Sequence, residues 1–526
     1  MQSVSEQARR PAESNVHMVS RTKKVVLAAL TVVFALVGLG AWAFASPVGA
    51  APDDDFHMVS IWCSLGDREG LCEPGSSELE RVVSERLVDS SYCFATHPDK
   101  SAQCPLDDSS MVPTTRGNFA ATYPPVFYGA MGLFATPDVA VSTMIMRLVN
   151  ATLFVGAVAA VLLTMRKGQR GPVIWASVVG LVPLGMFIIP SVNPSSWAIL
   201  AGLLVWVATY GYFTANTLAR RITLGAIAVV LGVVGAGARG DSAVYVSFSA
   251  LIAMILTFRK SREWLKLAIV PLGIIAIGAG FFLAARQSAG LAAEGAAQGT
   301  SLASEAAAAS GGSIASTALT KLISNVVNLP YLWTGGTGTW YLGWLDVEMP
   351  RSVWVIMIGV LFAAIVWGLR LMTMRKGIVL VLAFGAFTVI PLYVLYSMGV
   401  TVGEWVQPRY LLPLLLILVT ATLFGFAKDN LGLSRLQAVL VLGGVAAANS
   451  LAMHNNMRRY ITGLDDSSFN LNAGIEWWWN IPVSPMVVWF AGSAAFALML
   501  ACLWLWLYPE GERPGASAEE RSAELV

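Results

Sequence analysis

"KVVLAALTVVFALVGLGAWAFAS", residues 24–46, is a run of 23 residues whose one charge stands at its start. A membrane-spanning helix needs about 20 mostly apolar residues, so this stretch predicts a first span. Ala43-Phe44-Ala45 also fits the cleavage site of a signal peptide. The apolar core is longer than the roughly 7–15 residues of such peptides, which favours an uncleaved span. "PVGAAPDDDFH" follows at once, so a cluster of acids lies directly beyond the membrane.

The rest of the chain repeats this apolar pattern. Of its 526 residues, 56% are hydrophobic and 13% are charged, against about 25% charged in soluble domains. The composition predicts an all-α polytopic membrane protein, and the net charge of +2 gives no reason to expect a nucleic-acid partner. Twelve spans are predicted, near 24–46, 139–164, 172–190, 196–216, 222–238, 243–258, 267–285, 352–370, 377–398, 409–427, 435–453 and 485–507.

The basic residues between the spans predict the topology. "RTKK", "MRKGQR", "LARR", "FRKSREWLK", "MRKG" and "KDNLGLSR" fall on alternate connections, as the excess of Lys and Arg on the cytoplasmic side requires. Both termini are then cytoplasmic in a bacterial plasma membrane, with tails at 1–23 and 508–526 around a transmembrane domain at 24–507. The extracytoplasmic face receives large loops at 47–138, 286–351 and 454–484.

Cysteine placement agrees with this topology. Cys63, Cys72, Cys93 and Cys104 lie in the first large loop, and Cys502 lies in the last span. An even set on the extracytoplasmic side predicts two disulfides, and three pairings are open. Short loops favour Cys63–Cys72 with Cys93–Cys104 over the other two pairings and over four free thiols.

Two segments of the first loop have structure of their own. "SSELERVVSERLVDS" (76–90) combines a capping box of Ser77 and Glu80 with apolar residues at helical spacing, which predicts a short amphipathic helix. "TYPPVFYGAMGLF" (122–134) is apolar but short and broken by prolines, which indicates a re-entrant or interfacial segment.

The acids after the first span are the first candidate site. Carboxylates in a first helical turn are favoured by the helix dipole, so the three aspartates have a simple structural explanation as a cap. That explanation does not account for His57. If the segment is helical, Asp53 and His57 share a face, and a carboxylate hydrogen-bonded to an imidazole suits a general base or a metal site.

Three arginines form the second candidate set. Arg147 lies inside an apolar span, Arg239 stands beside Asp241 in a short turn, and Arg409 opens a late span. Guanidinium groups bind phosphate in a bidentate manner, so three of them on one membrane face suit a phosphate at headgroup depth. Local ion pairs are the simpler interpretation. The many outer tryptophans fit an interfacial belt, and sugar stacking is the alternative. No phosphate-binding loop and no zinc-type His/Cys spacing occurs.

Three sequence elements resemble a known bacterial family. "PDDDFH" (52–57) is similar to its P-D-[ED]-x-x-H element, "YLGWLDVEMP" (341–350) to its L-G-W-x-D-x-x-x-P element, and "QPRYLLPLL" (407–415) to its G-R-Y-x-x-P element. The chain thus resembles the domain-of-unknown-function family 2142, grouped with the GT-C membrane glycosyltransferases, from about residue 24 to about 500. Asp54 replaces a commoner Glu, and Pro408 replaces the usual Gly.

The resemblance implies a GT-C-like transferase that moves a sugar from a polyprenyl-phosphate donor to an envelope glycan or lipid acceptor on the extracytoplasmic face. Asp53 or Asp54 would be the general base, and Asp346 would bind sugar hydroxyls or hold a divalent cation. Membrane lipids are the surrounding partners. The predicted substrate-binding residues are His57, Arg147, Arg239, Asp241, Trp344, Asp346, Arg409 and Tyr410.

A transporter or flippase for a lipid-linked sugar or envelope precursor is the main alternative, and a non-catalytic scaffold is a further one. Carriers place ionisable groups near the bilayer midplane. Here the candidate charges, apart from Arg147, collect at one boundary and in large loops. This asymmetry favours chemistry at one membrane face.

Overall fold

The structure, a computed structural model, describes residues 4–106, 109–285 and 314–509. The first half of the predicted 286–351 loop and nearly all of the 508–526 tail lie outside these residues. The helices are α1 Val4–Phe44, α2 Asp54–Trp62, α3 Glu85–Asp89, α4 Val126–Gly132, α5 Val139–Thr164, α6 Gly171–Gly180, α7 Leu184–Ile188, α8 Ser195–Thr214, α9 Leu218–Ala236, α10 Gly240–Thr257, α11 Arg262–Leu267, α12 Ile269–Ala284, α13 Ile314–Thr334, α14 Arg351–Gly368, α15 Met374–Met398, α16 Pro408–Thr422, α17 Arg435–Ile461 and α18 Pro485–Leu507.

The predicted all-α polytopic membrane architecture is confirmed, with a smaller number of full spans. Ten helices of the described chain are long and apolar enough to cross a membrane, against the twelve predicted. The predicted span at 172–190 is divided into α6 and α7, with Pro183 between them. Proline has no N–H to donate and so interrupts a helix. The predicted span at 409–427 is the shorter helix α16.

The prediction of an amphipathic helix over 76–90 is wrong for most of that stretch. Residues 81–84 form the middle strand of a three-stranded antiparallel sheet, made of β1 Glu73–Pro74, β2 Arg81–Ser84 and β3 Met111–Thr114. Only α3 at its end is helical. Glu80 does not complete a capping box with Ser77, because its carboxylate accepts from the backbone N–H of Ser76 at 2.7 Å. The pairing of β2 with β3, which is distant in sequence, overrides the local helical pattern.

Two other loop segments are helical. The apolar segment 122–134 contains α4, whose first backbone N–H donates to the carbonyl of Gly237 at 3.0 Å. The short helix therefore docks against the turn that precedes Arg239. The loop predicted at 286–351 contains α13, which the sequence did not suggest. Asn325 fixes α13 by donating to the carbonyl of Val400 at 2.9 Å.

Contacts between connections divide the bundle into two ends. At the large-loop end, formed by residues 45–138, 335–350 and 462–484, Trp344 donates to the carbonyl of Gly49 and Trp479 to that of Phe44, both at 2.8 Å. At the opposite end, the Gly168 N–H donates to Asp429 at 2.8 Å and the Tyr508 hydroxyl to the carbonyl of Leu433 at 2.9 Å. Which end faces the cytoplasm stays a prediction.

The central helix is α8, which is buried over almost its whole length. It packs closely on α16, where a Cβ at Gly202 would lie 2.8 Å from Cα of Pro413. The indole of Trp206 also donates to the hydroxyl of Thr420 at 2.8 Å. Small residues allow such close approach of membrane helices. This packing fixes the start of α16, and with it Arg409, at the large-loop end.

Both favoured disulfides are confirmed. Cys63–Cys72 and Cys93–Cys104 have Cα–Cα distances of 5.2 and 5.5 Å. The first closes the turn that follows α2, and the second closes the loop that includes Phe94 and Lys100.

Candidate functional site

Asp53 stands at the start of α2 in an unusual backbone conformation. Its φ is 61°, in the left-handed region, and its side chain does not cap the helix. Such a conformation in a residue other than glycine costs free energy and persists where the surroundings enforce it. Here the carbonyl of Pro52 accepts from Asn193 at 2.9 Å and from Arg409 at 3.1 Å. Two distant elements therefore hold the peptide before Asp53 in place.

The carboxylate of Asp53 faces two arginines. Arg409 donates through Nη2 to one carboxylate oxygen, and Nη2 of Arg116 lies 3.6 Å from the other. Burial alone raises the pKa of Asp53, but Arg409, His57 and Arg116 outweigh it and hold the pKa below its ordinary value. The side chain is 37% exposed, whereas that of Arg409 is 2% exposed. Asp53 is thus an ionised carboxylate that solvent reaches, set against a buried cation.

Arg239 belongs to the same cluster. It forms a bidentate pair with Asp241, at 2.9 and 3.1 Å. Its guanidinium lies 4.7 Å from the ring centre of Tyr410 and 5.6 Å from that of Tyr123. The hydroxyl of Tyr410 accepts from Arg409 at 2.8 Å. Tyr410 therefore links Arg239 to Arg409 and sets two guanidinium groups beside one another, close to Asp53.

Asp54 is placed quite differently from its neighbour. It is fully buried, and Oδ2 accepts from the backbone N–H of Ala51 at 3.0 Å. Oδ1 is buried without a hydrogen-bond partner. Burial raises the pKa of Asp54 to about 7, against the opposing attraction of Arg147. A carboxyl group buried this fully is poorly placed for proton abstraction, which disfavours the predicted role of Asp54 as a general base.

His57 does not form the predicted hydrogen bond with Asp53. Its Nδ1 bonds the hydroxyl of Tyr128 at 2.9 Å, and Nε2 is buried without a partner. Burial lowers the pKa of His57 to about 3, so the ring is neutral at pH 7. The imidazole packs edge-on against Tyr123 with ring centres 5.5 Å apart. His57 therefore supports the wall of the site and does not relay a proton from Asp53.

Arg147 is buried and has its hydrogen bonds directed at the end of α1. Nη1 donates to the carbonyls of Ala43 and Ser46 at 2.8 and 2.6 Å, and Nη2 donates to that of Pro47 at 2.6 Å. Ala43 lies in the last turn of α1, where carbonyls lack partners within the helix, and Ser46 and Pro47 follow directly after it; a cation satisfies such carbonyls well. These contacts give Arg147 a capping role and disfavour the predicted contact of its Nη groups with a phosphate.

Asp346 and Trp344 brace the 340–346 loop. Asp346 is buried and accepts through Oδ2 from Arg459 at 2.7 Å. Burial raises the pKa of Asp346, and the attraction of Arg459 offsets part of this rise. Arg459 also donates to the carbonyls of Lys100 and Phe94, the latter at 2.6 Å. This pairing disfavours a divalent cation or a sugar at Asp346.

Gly343 explains part of the most specific motif. Its φ is +61°, and a Cβ there would lie 2.6 Å from the Tyr460 hydroxyl and 2.8 Å from Oδ1 of Asp346. Only glycine fits this position. The L-G-W-x-D spacing therefore encodes a loop that closes over a buried ion pair.

Two arginines of these clusters were missed by sequence reasoning. Arg116 lies in the first large loop, far in sequence from the acids it contacts, and no local pattern indicates it. Arg459 lies in α17, which runs to Ile461 and not to the predicted 453. The pair Arg458-Arg459 thus lies at the large-loop end, where the topology predicts few Lys and Arg residues. This departure from the expected charge distribution was the sequence signal that could have indicated Arg459. Within the described residues, no group of three His, Cys, Asp or Glu side chains is placed to hold a metal ion.

Comparison with known proteins identifies the family. The model of the family described as "Predicted membrane protein (DUF2142)" matches residues 36–418, which is more than half of the chain. The chain belongs to this family. Searches of curated proteins and of solved structures found no match.

Proposed function

We propose that this membrane protein is a glycosyltransferase of the GT-C type that uses a polyprenyl-phosphate sugar as donor. The observation that carries the proposal is the Asp53 cluster. A solvent-accessible ionised carboxylate stands beside Arg409 and Arg116, with Arg239 fixed next to Arg409 through Tyr410. A base and a set of cations at one boundary of an apolar bundle suit the transfer of a group away from a membrane-anchored phosphate.

The reaction assigns one role to each part of the cluster. Asp53 accepts the proton of an acceptor hydroxyl while that oxygen forms a bond to the anomeric carbon of the sugar. The bond from that carbon to the phosphate oxygen breaks, and polyprenyl phosphate leaves with the electron pair. Arg409 and Arg239, with Arg116 at the rim, stabilise the negative charge that develops there. General base catalysis contributes about 10²–10⁴-fold, and fixed cations act on charge in the transition state.

Asp54 then has a positioning role. Its bond to the N–H of Ala51 shapes the turn that presents Asp53. Tyr410 and Asp241 hold the arginines, and His57 supports the aromatic wall. Trp344 and Asp346 close the neighbouring loop. These roles divide the predicted site into a reacting part and a supporting part.

The cellular placement is part of the proposal. The large-loop end would face the extracytoplasmic side of a bacterial plasma membrane, where both disulfides are stable and where no nucleotide donor is at hand. A lipid-linked sugar is an activated donor that the membrane itself delivers. The acceptor would be an envelope glycan or lipid, and the protein would act in cell wall biogenesis.

The test is an envelope-glycan linkage analysis in a deletion strain complemented with wild type, Asp53→Asn or Asp55→Asn. Asp55 is the matched control, because it lies two residues after Asp53 and pairs with Arg116 without contacting Arg409. Protein in the membrane and lipid-linked sugars are quantified alongside.

We expect Asp53→Asn, compared per molecule present in the membrane, to lose one linkage and to accumulate a lipid-linked sugar, while Asp55→Asn restores the linkage. Restoration of every linkage by Asp53→Asn would overturn the proposal. Accumulation of the donor on the cytoplasmic leaflet only would favour a flippase instead.

A further inference from the structure

The guanidinium of Arg239 lies over two tyrosine rings. The ring centre of Tyr410 is 4.7 Å from it, and that of Tyr123 is 5.6 Å from it. Arginine packs favourably on aromatic rings, so both tyrosines help to hold the cation in place. Tyr410 belongs to the same sequence element as Arg409, whereas Tyr123 comes from the distant segment 122–134, where no motif indicates it. The presence of Tyr123 in the cluster therefore needs its own explanation.

The backbone of Tyr123 is held by the side chain of Asn118. The amide oxygen of Asn118 accepts from the N–H of Tyr123 at 2.8 Å, and the amide nitrogen donates to its carbonyl at 2.9 Å. The N–H of Asn118 in turn donates to the hydroxyl of Ser60 in α2 at 2.9 Å. Tyr123 is thus tied to the helix that begins beside Asp53. A binding group needs this kind of fixed support to act at a defined position.

The hydroxyl of Tyr123 is free to bind a ligand. The ring packs against α2, with its centre 5.5 Å from the ring centres of Phe56 and His57. Within the described chain, the hydrogen bonds of Tyr123 are made by its backbone, and none is made by its hydroxyl. The hydroxyls of Tyr128 and Tyr410, by contrast, both bond to other side chains of the site. Of these three tyrosines, Tyr123 therefore has the hydroxyl that the described residues leave unbonded.

This hydroxyl offers a donor that carries no charge. Burial raises the pKa of Tyr123 to about 12, so the phenol keeps its proton at pH 7 and can donate to an anion. The arginines of the cluster are already paired with carboxylates, so their attraction for a further anion is reduced. An incoming phosphate therefore needs hydrogen bonds as well as charge. The pairs are Arg409 with Asp53, Arg116 with Asp55 and Arg239 with Asp241.

Solvent reaches this part of the cluster. The side chain of Arg116 is 48% exposed and that of Asp241 is 27% exposed. Tyr123 itself is half-buried. A ligand can therefore approach Tyr123 and Arg239 from the side on which Asp53 is open.

We propose that Tyr123 is a substrate-binding residue whose hydroxyl donates a hydrogen bond to a phosphate oxygen of the donor beside Arg239. This inference rests on the proposed function and deepens it, because it names a group that contacts the leaving phosphate. The ring of Tyr123 supports Arg239. The hydroxyl keeps its proton and stabilises the negative charge that the phosphate gains as its bond to the anomeric carbon breaks.

The experiment measures the Kd of farnesyl monophosphate for the purified full-length protein in detergent by isothermal titration calorimetry. The comparison ligands are farnesol, which lacks the phosphate, and inorganic phosphate, which lacks the chain. The variant Tyr123→Phe removes the hydroxyl and keeps the ring beside Arg239. The matched control is Tyr92→Phe, the same change at an exposed tyrosine of the large-loop end.

Since a hydrogen bond to a charged acceptor contributes about ten- to hundredfold in affinity, Tyr123→Phe should raise the Kd of farnesyl monophosphate by about this factor. The weaker binding of farnesol should not change, and Tyr92→Phe should change neither Kd. An unchanged Kd of farnesyl monophosphate in Tyr123→Phe overturns the inference, as does an equal loss for farnesol. Inorganic phosphate that binds as tightly as farnesyl monophosphate overturns the assignment to a lipid phosphate.

A second measurement keeps the test decisive if Tyr123→Phe does not fold. A fluorinated tyrosine is placed at position 123 of the otherwise unchanged chain, and its fluorine NMR signal is followed. The signal should move when farnesyl monophosphate is added and stay in place when farnesol is added. A signal that does not respond to farnesyl monophosphate contradicts the inference.

The proposed function fails separately from this inference. If Tyr123→Phe weakens the binding of farnesyl monophosphate but the wild-type protein transfers no sugar, phosphate binding at Tyr123 stands and the transferase does not. If the wild-type protein transfers sugar and Tyr123→Phe changes neither the Kd nor the rate of transfer, the transferase stands and the role of Tyr123 does not.

Discussion

Two ion pairs at the large-loop end look alike in sequence and differ in the structure. Asp53 pairs with Arg409 of α16, and Asp346 pairs with Arg459 of α17. Each joins an acid in a loop to an arginine on a late helix. The Asp53 side chain is 37% exposed, whereas that of Asp346 is 1% exposed and that of Arg459 is fully buried.

This difference in exposure indicates that the first pair is placed to react and that the second pair stabilises the fold. A carboxylate that solvent reaches can exchange a proton with a substrate. The Asp346–Arg459 pair, whose arginine also holds two backbone carbonyls, is closed off from solvent by its burial. Exposure of the acid, more than the presence of an arginine partner, distinguishes the proposed reacting site from a clamp.

The largest expected effect concerns Asp53 and Asp54. Asp53→Asn should lower the rate of sugar transfer about 10²–10⁴-fold, because the amide cannot take the proton. Asp54→Asn should stay within about tenfold of wild type, since an amide oxygen still accepts from Ala51 and a buried group supplies only position. The measurement is transfer from lipid-linked sugar in isolated membranes, normalised to protein. If Asp54→Asn lowers the rate of transfer more than Asp53→Asn does, Asp54 is the general base and Asp53 has the positioning role.

The next effect is on stability. Asp346→Asn leaves Arg459 as a buried charge without a counterion, which typically costs about 3–5 kcal/mol. Thermal unfolding in detergent should show a clear fall in Tm. The double variant Asp346→Leu with Arg459→Met should recover much of this loss, because a well-packed apolar pair replaces the charges. No recovery would mean that the pair does more than balance charge.

A smaller effect is expected from the second disulfide. Cys93–Cys104 closes the loop that supplies the carbonyls of Phe94 and Lys100 to Arg459. Replacing both cysteines by serine should cost about 2–4 kcal/mol, and the loss should be less than additive with Asp346→Asn. The matched control is the same replacement at Cys63 and Cys72, which should be additive with Asp346→Asn. If the losses are additive for both disulfides, the loop closed by Cys93–Cys104 does not support the Asp346–Arg459 pair.

The smallest net effect is on the pH dependence of wild-type stability, because two contributions oppose each other. Burial raises the pKa of Asp54 from 3.8 to about 7, so its contribution to stability is greatest at low pH and is lost as the pH rises across that interval. Burial lowers the pKa of His57 from 6.5 to about 3, so its contribution is present above 6.5 and is lost as the pH falls. The two slopes oppose each other between pH 4 and 6.5.

Substituting one of these two residues should reveal the pH dependence that the other contributes. Relative to wild type, the Tm of Asp54→Asn should increase with pH over this interval, and that of His57→Gln should decrease. Parallel Tm curves for all three proteins would show that neither pKa is shifted as described.

Much of the fold followed from the sequence because hydropathy and charge are local properties. Most of the spans and the alternation of basic connections could be predicted this way, and the short loops between cysteines predicted both disulfides. The split between α6 and α7 could not, because apolar composition does not report an interruption at Pro183. The strand at 81–84 was missed because its partner lies about 30 residues away and such pairing has no local signature.

The candidate site could be predicted only in part, because motif spacing is local and tertiary contacts are not. Motif spacing located Asp53, Arg409 and Asp346, but exposure decides their roles, and exposure is a property of the assembled bundle. Arg116 and Arg459 join the clusters only through tertiary contacts. The choice between Asp53 and Asp54, which are adjacent in sequence, required the αL turn at Asp53.

The most direct test of this division compares Asp53→Asn with Asp346→Asn for two quantities, folded protein in the membrane and glycan linkage formed per folded molecule. We predict that the Asp53→Asn molecules that fold form no linkage. We predict that Asp346→Asn is present at a reduced level, with each remaining molecule nearly as active as wild type. A fully abundant but inactive Asp346→Asn, or an active Asp53→Asn, would contradict these predictions.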